Sequence, residues 1–230
     1  MKRSFETYVS FMREIPKIET LEILLNSAEE LFAKHGFNGT SLREITGNAG
    51  VNLAAAHYHL GDKETLYATV LTRRLRPINA SRLAELTQFE QEAEGRPVPM
   101  DQIINILARP LFELAADIPH GGQYFVRILG RSLVEPLPFM EDILALEFQP
   151  VMARFGQAVR RHATCLSPEE YLWRFSFVIG TLHHTLATLH CMKERTRGIC
   201  RNDDPAGALQ RFIPFAVATF TAPPPVALAV

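Results

Sequence analysis

Residues 39–64, GTSLREITGNAGVNLAAAHYHLGDKE, decide how this chain is read. Thr40 or Ser41 suits a helix N-cap, and Ser41 with Glu44 three positions on makes a capping box. Leu42 and Ile45 supply the inward face of a short helix, and Gly47 to Gly50 turn the chain. Asn52 caps a second short helix of about Leu53 to His59. Asp62 then caps a longer helix whose apolar stripe is Leu66, Val70 and Leu71. Two short helices joined by a tight turn describe a helix-turn-helix, although any αα-hairpin shares that turn. Here the turn residues Ala49, Gly50 and Val51 are small, then flexible, then anchoring. Asn52 and Lys63 stand at helix starts, whose unpaired N–H groups attract phosphates. The run Leu53–Ala56 has no long polar side chain. Leu53 and the first alanines can meet thymine methyls, a readout that needs no charge. Ala56 and His59 read as packing residues.

Outward from this stretch the periodicity is helical almost everywhere, with no alternating β-type segments and no repeat. Leu21, Leu24, Leu25, Ala28, Leu31 and Phe32 give one apolar face to a helix from about Thr20 to His35, which Gly36 ends. Glu22, Glu29, Glu30 and Lys34 fall largely outside that face. On the C-terminal side, a helix is expected from Arg76 into the nineties, then a loop over Glu94–Pro99. Further helices follow over about Met100–Asp117, 122–133 and Phe139–Thr164. SPEE at 167–170 starts a helix with a Ser cap, Pro at the first helical position and acids in the first turn. It reaches about Lys193, and a last helix spans Asp204 to about Thr221. The fold class expected is all-α.

The chain has 230 residues, 47% hydrophobic and 21% charged, which suits one large or two small globular domains. The net charge of −1 means that nucleic-acid binding must come from a local patch. Cys165, Cys191 and Cys200 form no CxxC pair, so no zinc motif can be read, and the odd count suggests reduced thiols in a cytoplasmic protein. The first twenty residues are charged throughout and lack the apolar core of a signal peptide. The uncharged end from Phe212 is broken by Pro214 and Pro223–Pro225, short of the roughly 20 helical residues a membrane span needs. No membrane partner, cofactor or metal is expected. His183 and His184 are adjacent, so on a helix they point about 100° apart and do not easily share an ion. No catalytic arrangement can be assembled either. Cys165 near His162 is the nearest approach, and nothing orients the pair.

The segment SAEELFAKHGFNGTSLREITGNAGVNLAAAHYHLGDKETLYATVL, residues 27–71, resembles the TetR family of bacterial repressors nearly end to end. Its landmarks are Leu31-Phe32, Gly36-Phe37, Thr40-Ser41, Ile45, Ala49-Gly50-Val51, Tyr58-His59, Lys63-Glu64 and Leu66. The resemblance implies an N-terminal helix-turn-helix DNA-binding domain at 19–74, after an extension at 1–18. It also implies a helical ligand-binding and dimerisation domain at 75–221, before a Pro-Ala tail at 222–230. By the same resemblance the partners are double-stranded operator DNA, a second copy of the chain (a homodimer) and a small-molecule inducer. The family's DNA contacts fall on Thr40, Ser41 and Arg43 at the first short helix and on Asn52, Leu53, Ala54 and Ala55 at the reading positions. His57 stands where a phosphate-binding Tyr is common, Tyr58 matches the next aromatic, and Lys63 matches a phosphate-contacting Lys. The chain departs from the family pattern in having Asn52, Ala54 and Leu60 where Ser, Gly and Phe are frequent.

VNLAA and YH are similar to the PsrA-like subgroup, which answers to fatty acids or acyl-CoA, and so imply such an inducer. Helical phase, on the helices that surround the inducer in the family, selects Phe112, Phe125, Leu129, Phe155, Phe175, Ile179 and His183 as ligand-binding candidates; any of them can equally be core. The function expected is a ligand-responsive, sequence-specific DNA-binding regulator, a repressor released by an apolar or amphipathic inducer. The rival is a dimeric small-molecule-binding protein with weak or lost operator binding, which the side-chain-poor run 53–56 favours.

Overall fold

A computed structural model describes residues 20–52, 62–132, 135, 137–201 and 204–224. The described residues are helical with no strand. They divide into two compact units, one ending at Arg73 and the other beginning at Arg74.

In the first unit, α1 covers 20–35 and α2 is Leu42–Ala49. Leu24, Leu25, Ala28 and Phe32 of α1 are buried, as the apolar stripe requires. Gly36 ends α1 in the left-handed region at φ 75°, its N–H bonded to the Phe32 carbonyl at 2.9 Å. The capping box forms in full: the Glu44 N–H donates to Ser41 Oγ at 3.2 Å, and the Ser41 N–H donates to Glu44 Oε2 at 2.8 Å. One expectation shifts here. Gly47 does not turn the chain; α2 runs through it to Ala49, and Gly50 alone leaves the helix, at φ 65°. Ser27 ties α1 to α2, since its Oγ donates to the Ile45 carbonyl at 2.8 Å and accepts the Asn48 amide at 3.1 Å.

The next helix, α3, is Lys63–Glu92. Asp62 caps it through the Thr65 N–H at 2.8 Å. Its first turns pack Leu66, Tyr67, Val70 and Leu71 into the first unit's core, with Tyr67 edge-on to Phe32 and Phe37 at ring separations of 4.9 and 5.3 Å. The sequence breaks this segment near Arg76, but the structure holds one continuous helix through Pro77. Proline removes one N–H from the helix ladder, and contacts to Glu147 lie on either side of it. Asn79 Nδ2 donates to the Glu147 carbonyl at 2.7 Å, and Arg76 pairs with Glu147.

In the second unit, α4 (Met100–Ala116), α5 (Gly122–Ser132), α6 (Glu141–Arg160), α7 (Pro168–Thr188), α8 (Met192–Arg195) and α9 (Pro205–Thr221) follow. Single 3₁₀ turns at Pro138–Met140 and Leu189–Cys191 precede α6 and α8. The helix at 139–164 is therefore shorter than expected. The expected helix from 167 to 193 ends its α-helical part at Thr188. Helix α4 is the hub and touches α5, α6, α7 and α9. Its Met100, Ile103, Ile104, Ile106, Leu107, Ala108, Leu111 and Phe112 are all buried, a broad apolar face, while Asp101 and Glu113 stay exposed on the other side. Helix α5 meets α7 closely enough that a Cβ on Gly130 would lie 2.4 Å from the Ala187 Cβ.

Candidate nucleic-acid interface and ligand groove

The first unit places Arg43, Ser41 and Asn52 at the surface and draws Thr40 and Lys63 inward. Arg43 stands on the exposed side of α2, opposite the buried Ile45. Ser41 is exposed too, but its hydroxyl already serves Glu44 on both sides. Those two Ser41 bonds, hydroxyl first and N–H second, hold the Glu44 carboxyl below its usual range. Thr40 is 3% exposed, and its Oγ1 donates to the Gly36 carbonyl at 2.9 Å. Its side chain closes the α1–α2 connection. Lys63 reaches the same connection from α3. Its Nζ donates to the Phe37 and Thr40 carbonyls, each at 3.1 Å, and lies 4.2 Å from the Phe37 ring centre. An ammonium has three donors, so one stays available beyond this clamp. Leu53, Ala54, Ala55, His57 and Tyr58 lie outside the described residues.

Sequence reasoning missed the electrostatic tie within this unit. Glu29, expected outside the apolar face, is 1% exposed and pairs with Arg73 at 2.7 Å. Arg73 also reaches Asn26 Oδ1 at 2.9 Å and Glu22 at 3.2 Å. The signal was helical phase. Glu29 stands four residues after Leu25 and three before Phe32, on the flank of the stripe.

In the second unit, a groove of about 1010 Å³ runs between α6 and α7. Phe175, Ile179 and His183 line it, with Tyr171 and Met152 among residues that sequence reasoning did not select. Phe112, Phe125, Leu129 and Phe155 are each at most 1% exposed and line none of the described cavities. His183 is 8% exposed, with Nδ1 on the Ile179 carbonyl at 2.9 Å, and His184 is exposed. Among the described residues no group of three or more His, Cys, Asp or Glu is placed to hold a metal. His162 meets the Val98 carbonyl through Nε2 at 2.7 Å, and Cys165 is exposed. No described helix is long and apolar enough to cross a membrane.

Burial, seconded by the charge of Arg82, pushes His183 down to about 4. The sign follows from which state takes the proton. Between about pH 6.5 and 4 the unfolded chain protonates this ring and the folded chain does not, so stability falls as pH falls through that window. Wild type should lose about 2 kcal/mol from this residue between pH 7.5 and 5. Urea unfolding of wild type and His183→Gln at both pH values checks it. Equal pH dependence in the two proteins would refute the assignment.

The family model for Bacterial regulatory proteins, tetR family, matches residues 24–70, and that for the Tetracyclin repressor-like, C-terminal domain matches residues 105–219. The HTH-type transcriptional repressor BepR of Brucella suis biovar 1 (strain 1330) is 36% identical over 55 residues, 24% of this chain and 26% of that protein. The chain thus matches about a quarter of this curated relative's length. Among solved structures, SmeT in its triclosan complex aligns at 17% identity and TM-score 0.58, covering 92% of this chain and 99% of that one. A TetR-family transcription regulator from Shewanella sp. PV-4 aligns at 17% identity and TM-score 0.55, covering 87% and 95%. These two likenesses concern the fold. With both units matched in order, and the C-terminal match alone spanning half the chain, the protein belongs to the TetR family of bacterial regulatory proteins.

Proposed function

We propose that the protein is a homodimeric, ligand-responsive repressor that binds operator DNA through its first unit and an apolar or amphipathic inducer through its second. The observation that carries the DNA half is the capped α2 with its left-handed Gly50 exit. It presents Arg43 and Asn52 outward while Ser27, Thr40 and Lys63 hold the connection behind them. Arg43 reads as the backbone or groove-edge contact, and Asn52, Leu53, Ala54 and Ala55 as the reading positions. His57 and Tyr58 read as phosphate-side contacts. Lys63 has two jobs, a clamp on the Phe37 and Thr40 carbonyls and one donor toward phosphate. With few long polar side chains at the reading positions, specificity should lean on thymine methyls and DNA shape.

The observation that carries the ligand half is the groove between α6 and α7, whose lining is mostly apolar. A fatty acid or acyl-CoA fits this reading, as the PsrA-like similarity at VNLAA suggests. Inducer would favour the state whose two heads miss successive major grooves, and a coupling of about 1–3 kcal/mol suffices for a switch. The protein would act in the cytoplasm, where its operator lies.

Retardation of the gene's own upstream region, measured across a salt series, tests this reading. Arg43→Ala should weaken binding and reduce the salt slope by about 1, without lowering the melting temperature. Lys63→Ala should lower both affinity and melting temperature, because it also opens the clamp. Operator affinity unchanged in both variants would sink the contact assignment. No retardation even at low salt would leave a dimeric ligand-binding protein.

A further inference from the structure

Two arginines are buried among the described residues, Arg174 and Arg82, and a third, Arg73, is half-buried. Arg73 meets Glu29 at 2.7 Å. Arg174 meets Glu170 at 2.6 Å and gives other N–H groups to the carbonyls of Thr219, Ala222 and Pro223. Arg82, on α3 in the second unit, is 2% exposed and has no ion pair among the described residues. Nη1 donates to Asn79 Oδ1 at 3.1 Å, and Nε has no hydrogen-bond partner. A guanidinium carries five N–H donors, so most of its capacity is unspent. Burial lowers its pKa only to about 10, so it keeps its charge at neutral pH. A buried charge without an opposite charge is a standing cost in the folded protein. An arriving anion relieves it.

The surroundings say where that anion comes from. Asn79, which holds Arg82, is itself held by the Glu147 carbonyl of α6 at 2.7 Å. Phe148, the next residue, sets its ring edge-on to His183 at 6.3 Å, and His183 lines the α6–α7 groove. The field of Arg82 reaches His183, where it adds to burial in disfavouring the imidazolium. Arg160 and Arg161 line the groove itself, and Arg82 lies behind His183. Arg160 donates to the carbonyls of Ala163 and Leu166, each at 2.9 Å, and Arg161 is exposed to water.

We propose that Arg82 receives the carboxylate head of an amphiphilic ligand whose apolar chain lies along Phe175 and Ile179. The two oxygens of a carboxylate match the Nε and Nη edge of the guanidinium fork. This inference rests on the ligand-binding reading above and names the head group that reading leaves open.

Calorimetric titration of the full-length protein with dodecanoate and methyl dodecanoate, below the micelle concentration, tests it. The two probes share a chain and differ in charge. Wild type should bind dodecanoate ~10- to 100-fold more tightly than the ester, as charge-assisted hydrogen bonds require. Arg82→Met should abolish that preference while melting no lower than wild type without ligand, because it removes an unpaired buried charge. Arg161→Gln should keep the preference. Should the methionine variant not fold, Arg82→Lys keeps a cation but loses the fork, and must lower the preference.

The proposal is overturned by absent dodecanoate binding or by equal affinity for acid and ester. It is also overturned if the preference survives at full strength in the Arg82 variants or is lost in Arg161→Gln. Dodecanoate binding without operator binding would leave this inference standing and remove the repressor. Operator release by neutral compounds alone would do the reverse.

Discussion

Arg73→Ala should destabilise the DNA-binding unit by about 3–5 kcal/mol, a large share of an ordinary domain's stability. The effect comes from what is left behind. Glu29 is 1% exposed, and its carboxylate is held by Arg73 at 2.7 Å. Truncating the arginine takes this ion pair away from a carboxylate that water does not reach. Asn26 and Glu22 lose a partner as well, but Glu22 is well exposed and contributes little. The discriminating control is the double variant Arg73→Leu with Glu29→Leu, which removes both charges together. It should recover most of the stability, since replacing a buried pair by apolar groups is often neutral. Urea unfolding followed by circular dichroism measures all three proteins. A single variant within about 0.5 kcal/mol of wild type would show that the pair is not effectively buried.

This ion pair also marks the boundary of what the sequence discloses. Residues whose role depends on their neighbours along the chain were legible. Gly36, the Ser41–Glu44 box, Asp62 and Ser167 all act where local spacing put them, because caps are made within three or four residues. The order of helices was legible for the same reason. What stayed hidden depended on partners far along the chain. The burial of Thr40 goes with Lys63, which reaches its carbonyl from 23 residues on. A new helix reads as beginning near Arg76, but α3 runs unbroken from Lys63 through Pro77, with Asn79 and Arg76 bonded to Glu147 beside it. Helical phase placed Phe112, Phe125, Leu129 and Phe155 inward correctly. It cannot say whether inward means cavity or packed core, and these four line none of the described cavities. Arg82 was invisible for the sharpest reason. A lone Arg in a helix reads as solvated, and only the fold shows that no carboxylate among the described residues meets it.

The second large effect concerns assembly. Trp173, Phe177 and Leu172 on α7 and Phe215 on α9 are each about half or more exposed, and α7 packs on α9. Trp173 and Phe177 lie one helical turn apart with their rings tilted by 31° at 5.8 Å. An apolar surface of this kind marks an interaction site, and in the dimer proposed above its occupant is the same face of a second copy. Trp173→Glu should then yield monomers at micromolar concentration, because each subunit would carry an unpaired carboxylate into a desolvated, two-fold interface. Operator affinity should fall by roughly 100-fold or more, since a lone head engages one half-site. Trp173 is the chain's only tryptophan, so wild-type fluorescence reports the interface directly. Dilution through the dissociation range should shift its emission to the red as the indole meets water. Sedimentation gives the mass, and Phe177→Glu should repeat the result with the fluorophore intact. A Trp173→Glu protein that sediments as a dimer and holds its operator would place the interface elsewhere on the molecule.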